Sequence, residues 1–272
     1  MDAGAAYRAQ ASAPRDAPSD SRHALPKKET AMAQNIYDRP EFFEGYSQLG
    51  RSVHGLAGAA EWPAIRALLP DLSGNRVVDL GCGYGWFSRY AREAGAAHVL
   101  GLDLSEKMIA RAKADTSDAA IDYRIADLDQ LDLPEASFDF AYSSLAFHYV
   151  EDFGRLAATI HRALAPGAHF VFTIEHPIYM ASLNPGWRIT DGERTWPVDH
   201  YSAEGPRTTN WLAKGVIKHH RTIGTTLNTL MSVGFAIRHV QEWRPTEEQI
   251  AEIPALAEEV DRPMILIVKV QK

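Results

Sequence analysis

The chain has 272 residues, a formal net charge of −7, an apolar share of 46% and a single cysteine. That length allows one large domain, or one domain with a sizeable insertion, with a core that needs no disulfide or structural metal. With Cys82 alone no intramolecular disulfide forms, which fits the cytoplasm, the negative balance argues against nucleic acid as a partner, and no apolar run is long enough to span a bilayer.

Residues 1–33 are rich in Ala, Ser, Pro and mixed charges without apolar periodicity, and read as a disordered tail. A signal peptide needs an apolar central block, which is absent. A transit peptide is poor in acids, whereas Asp2, Asp16, Asp20 and Glu29 are present. Met32 is a candidate physiological start. Residues 34–70 turn helical: Phe42, Phe43 and Tyr46 share one face, Trp62, Ile65, Leu68 and Leu69 form a second stripe, and Pro63 suits a first helical turn. This segment is expected to be a lid over the open end of a sheet.

Residues 71–175 alternate strand and helix. Strands are expected at Arg76–Leu80, His98–Asp103, Ile121–Ile125, Phe138–Ser143 and His169–Glu175, with helices over about 85–94, 105–114 and 152–163. The expected fold class is α/β: a doubly wound, Rossmann-like, mostly parallel seven-stranded sheet with an antiparallel C-terminal edge strand. The rhythm breaks over 176–221, a stretch dense in aromatic, Pro and Gly residues that reads as a substrate cap, with a small hairpin around Trp196–Tyr201 and Gly215–His219. Residues 222–272 resume with a helix at Thr222–Met231, a strand at Phe235–Glu242, a short helix over Thr246–Glu259 and a last strand at Met264–Val270.

The most informative stretch is Arg76-Val77-Val78-Asp79-Leu80-Gly81-Cys82-Gly83-Tyr84-Gly85. An apolar strand ends in an acid and turns through three glycines into a helix, which lets a ligand lie against bare backbone at a strand's carboxyl end. A carboxylate there repels a pyrophosphate and attracts an ammonium group. The dinucleotide spacing Gly-x-Gly-x-x-Gly fails, because its last position falls on Trp86 or Ser88. Taken alone, the loop also reads as an ordinary tight βα turn, and Cys82 as a small residue that fits inside it.

The Asp-x-Gly-x-Gly-x-Gly order resembles the nucleotide-binding loop of class I S-adenosylmethionine-dependent methyltransferases, and the likeness extends over about residues 76–175. It implies S-adenosyl-L-methionine as cofactor, with Asp79 toward its ammonium group and Gly81, Gly83 and Gly85 toward its carboxylate. Asp103, followed by Leu104, ends strand two and is placed for the ribose hydroxyls. Asp127 and the Leu128 amide correspond to the adenine contact. Met108 is either an adenine-face residue or core. Ser143 and Ser144 fall where the family passes beneath the methionine half of the ligand.

The implied activity is methyl transfer to oxygen or nitrogen of a small-molecule acceptor, since no strand-four Asp-Pro-Pro-aromatic motif and no cysteine outside the loop points to nucleobases. His148, His176 and His200 are candidate bases, His148 first, with a satisfied structural histidine as the competing reading. Tyr46, Trp187, His200 and Tyr201 are candidate substrate contacts, and Tyr37, Phe43 and Arg51 could close over the cofactor or simply pack. No cluster has convincing metal-ligand spacing. An NAD(P)-dependent oxidoreductase and a non-catalytic S-adenosylmethionine-binding protein remain as alternatives.

Overall fold

The computed structural model describes residues 34–272, and the expected tail and candidate start lie outside the described residues. Helices α1 (Pro40–Ser47), α2 (Gly50–Val53) and α3 (Trp62–Leu68) precede the sheet. Pro40 and Pro63 sit in the first turns of α1 and α3, where a missing N–H leaves no bond unmade.

The alternating region follows as β1 (Arg76–Leu80), α4 (Trp86–Glu93), β2 (His98–Asp103), α5 (Glu106–Ala114), β3 (Ile121–Ile125), β4 (Phe138–Ser144), α6 (Phe153–Ala163) and β5 (Leu164–Glu175). These five strands pair in parallel, in the order β5-β4-β1-β2-β3. Strand β5 begins five residues earlier than its apolar run, because Leu164 pairs with Phe138 ahead of a register shift. The chain winds outward from β1 in one direction and from β4 in the other. The two are neighbours, so a crevice opens between their carboxyl ends.

Beyond β5 come α7 (Pro177–Met180), β6 (Arg188–Thr190), β7 (Glu193–Thr195), β8 (Gly205–Trp211) and β9 (Ala213–His220). The single expected hairpin is instead two hairpins, β6–β7 and β8–β9. The β6–β7 turn is Asp191-Gly192, both at positive φ, a two-residue turn matched to strand twist. Trp196–Tyr201 is not a strand.

Helix α8 (Ile223–Ser232) and β10 (Ala236–Glu242) return to the sheet. The helix expected over Thr246–Glu259 breaks at Pro254 into α9 (Glu247–Glu252), a 3-10 turn and α10 (Glu258–Asp261), since proline cannot donate within a helix. Strand β11 (Ile265–Gln271) is the antiparallel C-terminal strand. It lies one place in from the rim, between β5 and β10. The more apolar β11 is buried along most of its length, whereas β10 alternates and carries charge as an edge strand does.

Both sheet faces are covered. Leu156, Ile160 and Leu230 pack one face, and Ile65, Phe87 and Ala91 the other, each fully buried large side chain stabilising by roughly 1.5–3 kcal/mol. A third cluster, Ile36, Phe42 and Val216, joins the N-terminal segment to the β8–β9 hairpin. Among the described residues no helix is long and apolar enough to cross a membrane.

Candidate active site

A cavity of about 450 Å³ occupies the crevice at the carboxyl ends of β1 and β4. The loop after β1 builds its floor. Gly81 and Cys82 donate backbone N–H groups to Leu102 O at 2.8 and 2.9 Å, which ties the loop to β2. Gly83 N–H donates to Asp103 Oδ2 at 2.9 Å, and a Cβ there would meet open space. Gly85, at φ 75°, is the N-cap of α4, and a Cβ on it would stand 2.1 Å from the Tyr123 hydroxyl. Cys82 is buried, and that burial pushes its thiol well above the usual range, so it remains a protonated packing residue.

Asp79 is buried and accepts from Ser88 Oγ at 2.7 Å. Burial raises its carboxyl to about 7, with the nearby Asp103 charge adding to the rise and the Ser88 hydrogen bonds opposing it. Asp103 accepts from Gly83 N–H and from Ser105 N–H, both at 2.9 Å. Burial still lifts it to about 6 against those bonds. Among the described residues neither carboxylate has an ion-pair partner. Such a pair calls for a ligand with a positive charge and hydroxyl donors.

Asp127 and Leu128 line the same cavity, as do Gly81, Gly83, Leu104, Met108 and Ser144. Two further cofactor candidates stand behind the wall. Gly85 starts α4, and Ser143 is fully buried with its hydroxyl donated to Leu80 O at 2.7 Å. Tyr46 and His148 are in the lining; His176, Trp187, His200 and Tyr201 are not.

Each of those four is engaged elsewhere. His176 is buried, accepts from Ile178 N–H at the start of α7 and reaches Glu242 at 2.9 Å. Burial lowers its imidazole pKa, with Glu242 partly opposing. Trp187 donates to Glu258 at 2.9 Å and lies under Arg194. His200 is half exposed beside Asp199. Tyr201 accepts from Ile223 N–H at 3.3 Å and from His220 through its backbone oxygen. Trp187, Trp196 and Tyr201 are therefore taken up in packing, whereas Tyr179 and Trp211 of the same cap line the cavity. Tyr179 stacks on Trp196, with Arg262 over both rings.

The structure brings in residues that the motifs do not reveal. Asp38 reaches from the N-terminal segment to the start of α5, accepting from Ser105 Oγ at 2.5 Å, Lys107 N–H at 3.1 Å and Glu106 N–H at 3.2 Å. Burial opposes its ionisation, yet the Ser105 bond and those amides hold it below the ordinary carboxylate range. Gln34 bridges the same segment to β9 through Gly215 O and Ile217 N–H, both at 2.9 Å. Arg51 pairs with Glu61 at 3.0 Å, and both line the cavity. At the far end lie Tyr37, Tyr149, Glu175, Tyr179 and Trp211. Glu175 was legible in principle, as the last residue of a strand that ends at the crevice. Asp38 and Gln34 carry no such signal, because their partners are distant in sequence. Leu145, directly after β4 in the lining, holds a positive φ of 52°, a strained conformation for a bulky side chain. Among the described residues no group of three or more His, Cys, Asp or Glu side chains is arranged to hold a metal ion.

A methyltransferase domain family model matches residues 78–172. A solved S-adenosylmethionine dependent methyltransferase from Mesorhizobium loti is 65% identical, with a TM-score of 0.77, over 80% of this chain and 100% of that one. The chain belongs to the class I S-adenosylmethionine-dependent methyltransferases.

It is therefore an enzyme that uses S-adenosylmethionine, and the oxidoreductase and non-catalytic readings give way. An uncharacterised Haemophilus influenzae protein is 34% identical over 88% of this methyltransferase and 97% of its own length. A malonyl-[acyl-carrier protein] O-methyltransferase from Pseudescherichia vulneris is 39% identical over 161 residues, 59% of this methyltransferase and 60% of the relative. The cavity fits the methyltransferase cofactor on its own chemistry, since Asp79 and Asp103 are carboxylates held without a cation beside a glycine loop.

Proposed function

We propose that this methyltransferase moves a methyl group from S-adenosylmethionine to an oxygen or nitrogen of a small-molecule acceptor. The observation that carries the reading is one cavity of about 450 Å³ whose wall contains both Asp79, Asp103 and Asp127 and a second set, His148, Tyr149, Glu175 and Trp211. That volume lies within the range of small-molecule sites.

In this reading Asp79 holds the ammonium group, and loop amides at the start of α4 favour the carboxylate together with the Arg51 guanidinium. Asp103 takes the ribose hydroxyls, and Asp127 with the Leu128 amide takes adenine. Met108 and Leu104 give that half an apolar wall, and Ser144 borders the methionine half. The cofactor supplies an activated methyl group with a neutral leaving group. The work left to the chain is to hold the acceptor in line and exclude water. Tyr46 with Tyr37 and Tyr149 would form the aromatic wall on the acceptor side. His148 stands beside the acceptor, kept neutral by burial and then by Lys218 and Arg221.

The net charge of −7 and the single cysteine support a small molecule over nucleic acid, and a cytoplasmic location. An acyl-carrier acceptor does not transfer with the partial match to the malonyl enzyme. The test is incubation with methyl-labelled S-adenosylmethionine and a metabolite extract, followed by mass spectrometry. A labelled small molecule is expected; label confined to RNA, DNA or protein sinks the reading.

A further inference from the structure

We propose that Glu175 binds the methyl acceptor and takes its proton, so that the acceptor is an amine or hydroxyl compound and not a carboxylic acid. This rests on the small-molecule methyl-transfer reading above.

Strand β5 carries Glu175 to the crevice, where its side chain is 13% exposed and lines the cavity. Oε1 is held by the Lys218 ammonium, while Oε2 is buried and has no hydrogen-bond partner. A buried carboxylate oxygen left unmet is costly, and a turn of the carboxylate toward the cavity would let a ligand O–H or N–H group remove that cost.

Elimination among the carboxylates of the wall leads to the same residue. Asp79, Asp103 and Asp127 belong to the cofactor end. Asp129 accepts from the Glu151 and Asp152 amides at 3.1 and 3.0 Å. Glu61 is paired with Arg51, a cation that itself lines the cavity, unlike the partner of Glu175. Glu175 is left.

The cation that balances Glu175 is screened from the acceptor. Lys218, on β9, is buried and is not a lining residue; its ammonium lies 5.0 Å from the centre of the Trp211 ring and 5.9 Å from that of Tyr149. A ligand in the cavity therefore meets the carboxylate rather than the ammonium. That favours hydrogen-bond donors and disfavours an anionic acceptor.

His148 does not compete for the proton. Its Nδ1 accepts from Glu175 N–H at 3.4 Å, so in the neutral ring the hydrogen sits on Nε2, 4.0 Å from Glu175 Oε1. His148 is thus a positioning residue for Glu175. In the transfer, the acceptor's lone pair forms the new bond to the methyl carbon, the carbon–sulfur pair stays on sulfur, and the acceptor's proton passes to the Glu175 carboxylate and then to solvent.

The test uses three ring-matched probes, benzylamine, benzyl alcohol and benzoate, titrated into the full chain saturated with S-adenosylhomocysteine and followed by ligand-observed NMR. At least one of the two donors is expected to bind the wild type about tenfold or more tightly than benzoate. Glu175→Gln is expected to erase that preference to within about twofold, and Glu175→Asp to keep part of it, with S-adenosylhomocysteine affinity unchanged in both. The S-adenosylhomocysteine melting shift reports that each variant folds. Benzoate binding as tightly as the donors, no donor binding to the wild-type complex, or a preference that survives Glu175→Gln overturns the proposal. If S-adenosylhomocysteine itself does not bind the wild type, the cavity assignment beneath the proposal falls instead.

Discussion

Asp38 caps a helix to which it is not joined. Its Oδ1 accepts from Ser105 Oγ at 2.5 Å, 67 positions along the chain, while Ser105 Oγ accepts from Met108 N–H as the helix's own N-cap. The N-terminal segment is thereby latched to the element that follows Asp103. Removing the carboxylate frees the amides of Glu106 and Lys107 and unlatches the segment. Asp38→Ala is expected to cost about 1–2 kcal/mol of stability and to weaken S-adenosylhomocysteine binding, as read by thermal melting and calorimetry. A variant unchanged in both would mean that the latch holds nothing.

The elevated carboxyls of Asp79 and Asp103 make binding pH-dependent. A ligand ammonium at Asp79 and hydroxyl donors at Asp103 favour the ionised forms, so binding releases protons at pH values below about 7 for Asp79 and about 6 for Asp103. Affinity for S-adenosylhomocysteine is expected to fall about tenfold per pH unit below 7 and more steeply below 6. Both groups have folded pKa values raised above the ordinary value of 3.8. Their contribution to stability is thus fully present below about pH 4 and is lost as pH rises through 6 and 7 in the ligand-free enzyme. The ligand offsets that loss, so its melting shift should grow between pH 5 and 8, and Asp79→Asn should flatten the trend. A melting shift independent of pH in the wild type contradicts this account.

Two glycines of one loop should respond differently to alanine. Gly83 has open space where a Cβ would stand, so Gly83→Ala carries only the cost of its φ of 53°, about 1–2 kcal/mol. At Gly85 the Cβ would also meet the Tyr123 hydroxyl at 2.1 Å. Gly85→Ala is therefore expected to lower the melting temperature clearly more, with Gly83→Ala acting mainly on ligand affinity. Equal melting temperatures would show that the loop relaxes at both positions.

Asp103→Ala is expected to weaken S-adenosylhomocysteine binding more than Asp127→Ala. The first removes a carboxylate that also fastens Gly83, while the second leaves the Leu128 amide in place. Hydrogen bonds to charged groups are worth about 1.5–3 kcal/mol, which calorimetric titration resolves. The reverse order would exchange the importance assigned to the two acids.

The sheet and the acids and glycines that meet at its crevice were legible because their signals are local. Val77-Val78 and the apolar runs of β2 and β4 are buried on both sides, and each strand's tip lies within a few residues of its acid or glycine. The single expected hairpin overlooks a local signal, Asp191-Gly192, and of the cap's aromatic residues only Tyr179 and Trp211 line the cavity. Trp187 and Trp196 are occupied by Arg194, Arg262 and Glu258. The choice between His176 and Glu175, adjacent in sequence, depends on which neighbour each meets. His176 finds Glu242 on β10, and Glu175 finds Lys218 on β9.

By itself the sequence determined the α/β order of elements, the left-handed glycine turn and the three strand-tip carboxylates. Each follows from backbone sterics and apolar periodicity over a few residues. Only the tertiary structure decided the end of the cavity where β5, β9 and the turn after β4 bring Glu175, Lys218 and His148 together. It also decided the fastening of the N-terminal segment to α5 and β9 by Asp38 and Gln34. Those contacts join segments far apart in the chain, and burial sets their energies, a property no single stretch of residues possesses until the chain has folded.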